Sequence, residues 1–319
     1  MAHKYIRYPF GALVIFSSIA LLSLCVLIFL PHKTIRQPGR LYVVCTTGIV
    51  ADMVARIGGD CVCVDALMGP GVDPHSYRAR ESDMHKLAQA DIIFYHGLHL
   101  EGKMASVFEQ MNCDVTDMVN VSEDIPKDFL RRVEGESVCD PHVWHEVRLW
   151  RYAAACVGNA LAAKDSVNKK VYETNADAYL TDLDDLDAYI RTQVALVPLK
   201  QRILITAHDA FSYFGQAYGF EVVGLQGIST DSEISTHDIR RVVDVIIANN
   251  VPALFLESLI PQRTIQAVKD AVNARGKQVA VGDELYSDAL GDAASGADTY
   301  ISMIKHNVDA LVRALGDAG

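Results

Sequence analysis

Between Gly158 and Pro198 the chain contains neither glycine nor proline, the two residues that most readily interrupt a helix. Inside that stretch Val171, Tyr179, Leu183, Leu186, Ile190 and Val194 recur mostly at three- and four-residue spacing, the mark of one apolar helical face. Asp165 or Ser166 is placed to cap its start and Pro198 to end it. A helix of about 30 residues would run roughly 45 Å. Two units joined by such a rod cannot swing like units joined by flexible strands.

On either side of the rod, short apolar runs alternate with amphipathic ones. Leu41–Thr46, Cys61–Met68 and Asp91–His96 read as strands, separated by helical patterns at Ala51–Ile57, Ser82–Ala90 and Lys103–Met111. The second half repeats the alternation. Its strands fall near Arg202–Thr206, Glu221–Leu225, Ala253–Glu257 and Gln278–Val281, and its helices near Ala210–Tyr218, Asp238–Asn250, Gln262–Arg275 and Asp298–Leu315. This order predicts an α/β fold: two α/β domains, each with a mainly parallel sheet flanked by helices, joined by one long helix. The division is 41–165 for the N-terminal domain, 166–197 for the linking helix and 198–319 for the C-terminal domain.

The first forty residues differ from the rest. Lys4 and Arg7 precede an uncharged apolar run from about Pro9 to Leu30, and Lys33, Arg36 and Arg40 follow it. Roughly 22 residues at 1.5 Å each span about 30 Å of hydrocarbon, longer than an ordinary secretory core. Cys25 in Leu22-Ser23-Leu24-Cys25 stands where a lipidated cysteine would, but Leu24 is bulky for the position before it. Residues 1–40 are therefore expected to export the chain and anchor it uncleaved. The expected location is periplasmic, tethered to the cytoplasmic membrane.

A formal charge of −11 argues against a nucleic-acid surface, which needs clustered Lys and Arg. Of seven cysteines none forms a Cys-x-x-Cys pair, so a thiolate zinc site is not expected. Most read as small buried apolar residues, with a Cys113–Cys139 disulfide open in an oxidising compartment.

Three histidines sit in short turn-like motifs: Asp73-Pro74-His75, Asp140-Pro141-His142, and Thr206-Ala207-His208-Asp209 at the end of a strand. Asp288, in Leu285-Tyr286-Ser287-Asp288, follows another strand. Ligands of parallel α/β sheets gather at the carboxyl ends of strands. His75 and His142 from one half and His208 and Asp288 from the other would meet in the interdomain cleft. Three imidazoles and a carboxylate can fill a four-coordinate transition-metal shell and leave no open position. Proline fixes the backbone of each repeated motif, and its aspartate can orient the imidazole from behind.

Gly69-Pro70-Gly71-Val72-Asp73-Pro74-His75-Ser76-Tyr77, Asp140-Pro141-His142-Val143-Trp144, Thr206-Ala207-His208-Asp209-Ala210-Phe211 and Glu284-Leu285-Tyr286-Ser287-Asp288, in this order, resemble the TroA-like metal-binding receptors over about residues 41–316. These are the zinc- and manganese-type solute-binding proteins of ABC importers. The resemblance implies two α/β domains bridged by one helix, the metal ligands His75, His142, His208 and Asp288, and no catalysis. It also implies a monomer that hands its ion to an ABC-type membrane permease and its ATPase.

The metal is expected to be zinc or manganese, with ferrous iron a third candidate, carried as the transported ligand. In the resemblance, His208 leans toward zinc, whereas the absence of a His-rich acidic loop between Val119 and Asp140 leans away. Other residues compete for attention. His96 and His99 are three apart, as a helical metal pair could be, but the family segment they match supplies no primary ligand. His142-Val143-Trp144-His145-Glu146 has the order His-x-x-His-Glu, which is neither zinc-protease motif. Glu257 could orient a ligand or approach the metal, and Trp144, Phe211 and Tyr213 could wall the cleft. The rival readings are a zinc-dependent hydrolase using Glu257 or Glu146 as base, and a surface adhesin. A hydrolase needs three protein ligands plus a water, so a filled four-ligand shell counts against it.

Overall fold

The computed structural model describes residues 37–111, 116–133, 138–231 and 234–316. The apolar run of Pro9–Leu30 and the expected anchor lie outside them. Among the described residues no helix is long and apolar enough to cross a membrane.

The N-terminal half begins with β1 (Leu41–Thr47), α1 (Gly48–Gly58), β2 (Val62–Met68), α2 (Glu81–Gln89), β3 (Ile92–Tyr95), α3 (Ala105–Gln110) and β4 (Asp117–Asn120). The four strands form one parallel sheet in the order β2-β1-β3-β4. Alternate residues of a strand face opposite sides, and both sides of β1 are buried. Val43 and Cys45 face α1, while Tyr42 and Val44 pack with Met68, Leu87 and Ile93. That two-sided burial is why β1 reads as a continuous apolar run. Thr47 closes β1 and opens α1 in one step, its hydroxyl accepting the N–H of Val50 at 3.2 Å. β4 was not legible, because Asp117-Met118-Val119-Asn120 is a short, half-buried edge.

Helices α4 (Val147–Lys164) and α5 (Lys169–Val194) follow. α5 is the expected rod, 26 residues or about 39 Å long. Its buried stripe is Tyr172, Ala176, Tyr179, Leu183, Leu186, Ile190 and Val194, while Val171 is 41% exposed. The face therefore starts one residue later than the apolar spacing indicated. Neither Asp165 nor Ser166 is the capping residue, which is Asn168. Asp165 instead ties the α4–α5 turn, accepting from the N–H groups of Val167 and Asn168, from Asn168 Nδ2 and from the Tyr172 hydroxyl.

The C-terminal half holds β5 (Ile203–Thr206), α6 (Ser212–Tyr218), β6 (Glu221–Gly224), α7 (Thr236–Asn249), β7 (Ala253–Leu254), α8 (Gln262–Ala274), β8 (Ala280–Val281) and α9 (Tyr300–Leu315). β5 pairs with β6 and β7 with β8, all parallel. The Phe255 N–H donates to Ile205 O at 3.0 Å and brings β7 beside β5. These strands are shorter than the sequence suggested, because the chain leaves the ladder early to form site loops. Ile203 and Ile205 pack with Val242, Ile246, Val268 and Val272 on one side. Leu204 faces the other way, into the core that also contains Val43, Trp150, Leu183, Tyr300 and Leu311. One apolar core thus runs along α5 through both halves, so bending them apart would expose it.

Among the described cysteines, Cys45, Cys61, Cys63, Cys139 and Cys156 carry free thiols. Cys113, the other half of the disulfide left open above, lies outside the described residues.

Candidate metal centre

His75 follows β2 on the Gly69–Val72 turn, where the Val72 N–H donates to Gly69 O at 3.2 Å. Asp73 Oδ1 accepts the backbone N–H of His75 at 2.9 Å, and Oδ2 accepts the Ser76 hydroxyl at 2.9 Å. The aspartate shapes the turn and is not hydrogen-bonded to the imidazole.

His142 is built differently. Asp140 Oδ1 accepts both its backbone N–H at 3.0 Å and its ring Nδ1–H at 2.8 Å. The Asp140 carbonyl in turn accepts the Tyr213 hydroxyl at 3.0 Å. After His142 the chain makes a 3-10 turn, Val143–His145, before α4 starts at Val147.

His208 leaves β5 two residues after its end. Glu257 Oε1 accepts the N–H groups of Ala207 and His208 at 2.7 and 2.9 Å, and Oε2 lies 2.5 Å from His208 Nδ1. Gly224 lets β6 come this close: a Cβ there would sit 2.6 Å from Asp209 N and 2.7 Å from His208 C.

Asp288 sits beyond β8 in a loop pinned from several sides. Leu285 pairs with Glu257 in an isolated parallel bridge, and Asn307 of α9 holds both backbone groups of Tyr286. The Ser287 carbonyl accepts from Trp144 Nε1 at 2.9 Å and from His145 Nε2 at 3.1 Å.

The structure brings all four sequence candidates together. One donor atom from each of His75, His142, His208 and Asp288 lies within 4.8 Å of all the others. His75 Nε2 is 3.3 Å from His142 Nε2 and 3.7 Å from Asp288 Oδ2. Asp288 Oδ1 is 3.4 Å from His142 Nε2, and Oδ2 is 3.2 Å from His208 Nε2. Four ligands at about 2.0–2.2 Å from a central ion would stand about 3.3–3.6 Å apart along the edges of a tetrahedron. The four separations above, 3.2–3.7 Å, lie around that figure, and the whole set stays within 4.8 Å. His208 Nε2 and both oxygens of Asp288 are buried and make no well-aligned hydrogen bond, a costly state for polar atoms unless something else satisfies them.

Electrostatics divides the imidazoles. Burial pushes His75 down to about 4, more than Asp288 pulls it up. Burial also opposes charge on His142, but the hydrogen bond to Asp140 and the nearby negative charge of Asp288 outweigh it and raise that ring to about 9. Burial acts the same way on His208, which Glu257 and Asp288 hold well above the usual imidazole range. Burial would raise Asp288, yet His208 and His142 hold it well below the usual carboxylate range. In the metal-free site two rings thus keep protons that a cation of charge two could replace.

The competing histidines go elsewhere. His96 Nε2 lies 2.7 Å from Pro141 O, with its ring edge-on to Trp144 and stacked near Trp150. Gly97 makes that turn possible, with φ +86° and Asn120 Oδ1 only 2.2 Å from where a Cβ would stand. His145 lies against Phe211, ring centroids 4.3 Å apart, and serves the Ser287 carbonyl. Burial drives both rings down to about 3. Glu146 is paired with Arg148 at 2.9 Å. Trp144, Phe211 and Tyr213 are buried behind the site. Sequence reasoning missed His145 and Asn307 as supports of the Asp288 loop. The one signal for Asn307 was a lone polar residue on the apolar face of α9.

The chain is similar along most of its length to several known proteins. The chain is 46% identical over 283 residues to the zinc-binding protein TroA of Treponema pallidum, covering 89% of this chain and 91% of that one. The solved structure of the periplasmic zinc-binding protein TroA from Treponema pallidum superposes with a TM-score of 0.85 at 45% identity, covering 88% of this chain and 100% of that one. The manganese-binding lipoprotein MntA of Bacillus subtilis is 41% identical over 276 residues, 86% of this chain and 90% of that one. The Fe(III)-bound YtgA of Chlamydia trachomatis superposes with a TM-score of 0.78 at 29% identity, covering 86% of this chain and 98% of that one. The profile of ZnuA, zinc-uptake complex component A periplasmic, matches residues 43–314, and the chain belongs to that family.

Proposed function

We propose that this protein is an extracytoplasmic receptor that binds one divalent transition-metal ion through His75, His142, His208 and Asp288 and delivers it to an ABC permease. The observation that carries the reading is the four-donor cluster, within 4.8 Å throughout and 3.2–3.7 Å between four of its donor pairs, with three buried donor atoms left without well-aligned hydrogen bonds. Relatives named for zinc, manganese and Fe(III) support zinc or manganese, with iron a third candidate, as the transported cargo. Relatives named as lipoproteins support a membrane-tethered location outside the cytoplasm. The finer reading is a periplasmic monomer held at the cytoplasmic membrane by residues 1–40. Its domains are 41–165 and 198–319, linked by 166–197.

The hydrolase reading lacks a base. Both oxygens of Glu257 are engaged by Ala207 and His208, and Glu146 is paired with Arg148. A receptor also has reason to enclose its cargo, whereas a hydrolase must leave one position for water. The test is metal stoichiometry and turnover of generic ester and phosphate substrates by the fragment from Arg40 onward. One tightly held ion without turnover is expected. Metal-dependent turnover lost in Glu257→Ala would replace the receptor with a hydrolase.

A further inference from the structure

The four donors are not equally enclosed. His75 is 7% exposed, whereas His142, His208 and Asp288 are 0–1% exposed. His75 also borders a cavity of about 410 Å³, together with Lys103, Cys139, Gly227 and Asp231. Its ring has no carboxylate behind it, so it is the least supported ligand and the one nearest open space.

Two contacts reach the N-terminal half from the loop that follows β6, and the second of them borders this cavity. Thr230 Oγ1 donates to Asp73 Oδ2 at 2.6 Å, and Lys103 Nζ lies 2.8 Å from Asp231 Oδ2. The other oxygen of Asp73 holds the His75 N–H. A hydroxyl from the C-terminal half therefore fixes the turn that carries a ligand of the N-terminal half. We infer that Thr230 is a positioning residue for metal retention: its bond to Asp73, reinforced by the Lys103–Asp231 ion pair, latches the His75 turn over the ion and sets the release rate. The inference rests on His75 being a metal ligand, as proposed above.

The two contacts should differ in weight. Thr230 bonds an anion in a half-buried position, where such a hydrogen bond is the stronger kind. Lys103 and Asp231 are 39% and 42% exposed, and exposed pairs contribute little and are screened by salt. His142 and His208 are held by Asp140 and Glu257 from within their own halves, so loosening the latch frees His75 alone.

The experiment loads the full-length protein, in detergent, with zinc and measures release into excess chelator by stopped flow. Thr230→Val, which removes only the hydroxyl, should release zinc about tenfold faster. Thr230→Ser, which restores it, should stay within about twofold of wild type. Lys103→Met should be about two- to threefold faster, and added salt should accelerate wild type but not this variant. The Tm of metal-free Thr230→Val should fall by no more than about 4 °C, so the variant stays folded under the conditions of the release measurement. Thr230→Val releasing at the wild-type rate, or Thr230→Val and Thr230→Ser being equally fast, would overturn the latch while leaving the receptor intact. A wild-type chain that takes up no zinc would overturn both.

Discussion

Asp-Pro-His occurs twice in this chain, and the two copies do different work. In Asp140-Pro141-His142 the carboxylate binds the backbone and the ring of its histidine together, so position and proton are fixed at once. In Asp73-Pro74-His75 the carboxylate binds only the backbone of His75, with its other oxygen on Ser76 and Thr230. His142 is sealed behind Trp144 and Tyr213, while His75 borders a cavity. Identical tripeptides thus give one imidazole held at both ring and backbone and one held at the backbone alone. The difference lies in what surrounds each copy, not in the motif.

The comparison is open to attack by mutation. The largest effect is expected from His142→Ala, which removes a donor and leaves Asp140 and Asp288 buried without their partner. Zinc affinity, measured by competition with a chelator, should fall more than about 100-fold, about 3 kcal/mol or more, against site energies on the order of 10 kcal/mol. Next comes the pair of aspartates. Asp140→Asn should weaken zinc about 10- to 100-fold, the usual cost of losing a carboxylate behind a ligating imidazole. Asp73→Asn keeps an oxygen for the His75 N–H and should cost less than about fivefold at equilibrium. Equal losses in the two would mean that the copies are equivalent after all.

A pH effect sharpens the same contrast. His142 is raised to about 9 in the metal-free protein, so its stabilising contribution is complete below the unfolded value near 6.5 and is lost as pH rises toward 9. His208 acts in the same direction. Asp288, held low, stabilises above the ordinary carboxylate range and loses that contribution as pH falls. Metal-free protein should therefore melt at lower temperature at pH 9 than at pH 6. Zinc takes the place of the protons, so its added Tm should grow over the same interval. A zinc increment that shrinks from pH 6 to pH 9 would contradict the assignment of these two rings. The smallest effect on metal is expected at His96→Ala. Its Nε2 serves the Pro141 carbonyl, so the ion count should be unchanged and affinity should stay within about threefold, with stability lower by about 1–3 kcal/mol. Calorimetry alongside thermal unfolding separates the two readouts.

Much of the fold was legible because its signals are local. Strand runs such as Leu41–Thr47 and the apolar stripe of α5 announce themselves through the period of the backbone itself. The short strands β7 and β8 were harder to bound. Two residues of ladder carry little pattern, and the chain then departs toward Glu257 and the Asp288 loop. The four candidate ligands were visible because each stands at a strand end or in a proline turn. Some of their supports were visible too, Asp140 and Glu257 among them, but not which ring Glu257 holds or what Trp144 bonds. Glu257 lies 49 residues from the ring it holds, and Trp144 lies 143 from the Ser287 carbonyl.

The order of residues alone determined the alternation of strands and helices, the long rod, and which four side chains were worth bringing together. Each depends on neighbours within a few positions, where backbone geometry dictates periodicity and turns. Tertiary structure decided which carboxylate stands behind which imidazole, why His96 turns inward to Pro141, and why His75 alone among the four borders open space. Those outcomes depend on burial and on partners distant in the chain, and burial is a property of the packed molecule that no short segment carries.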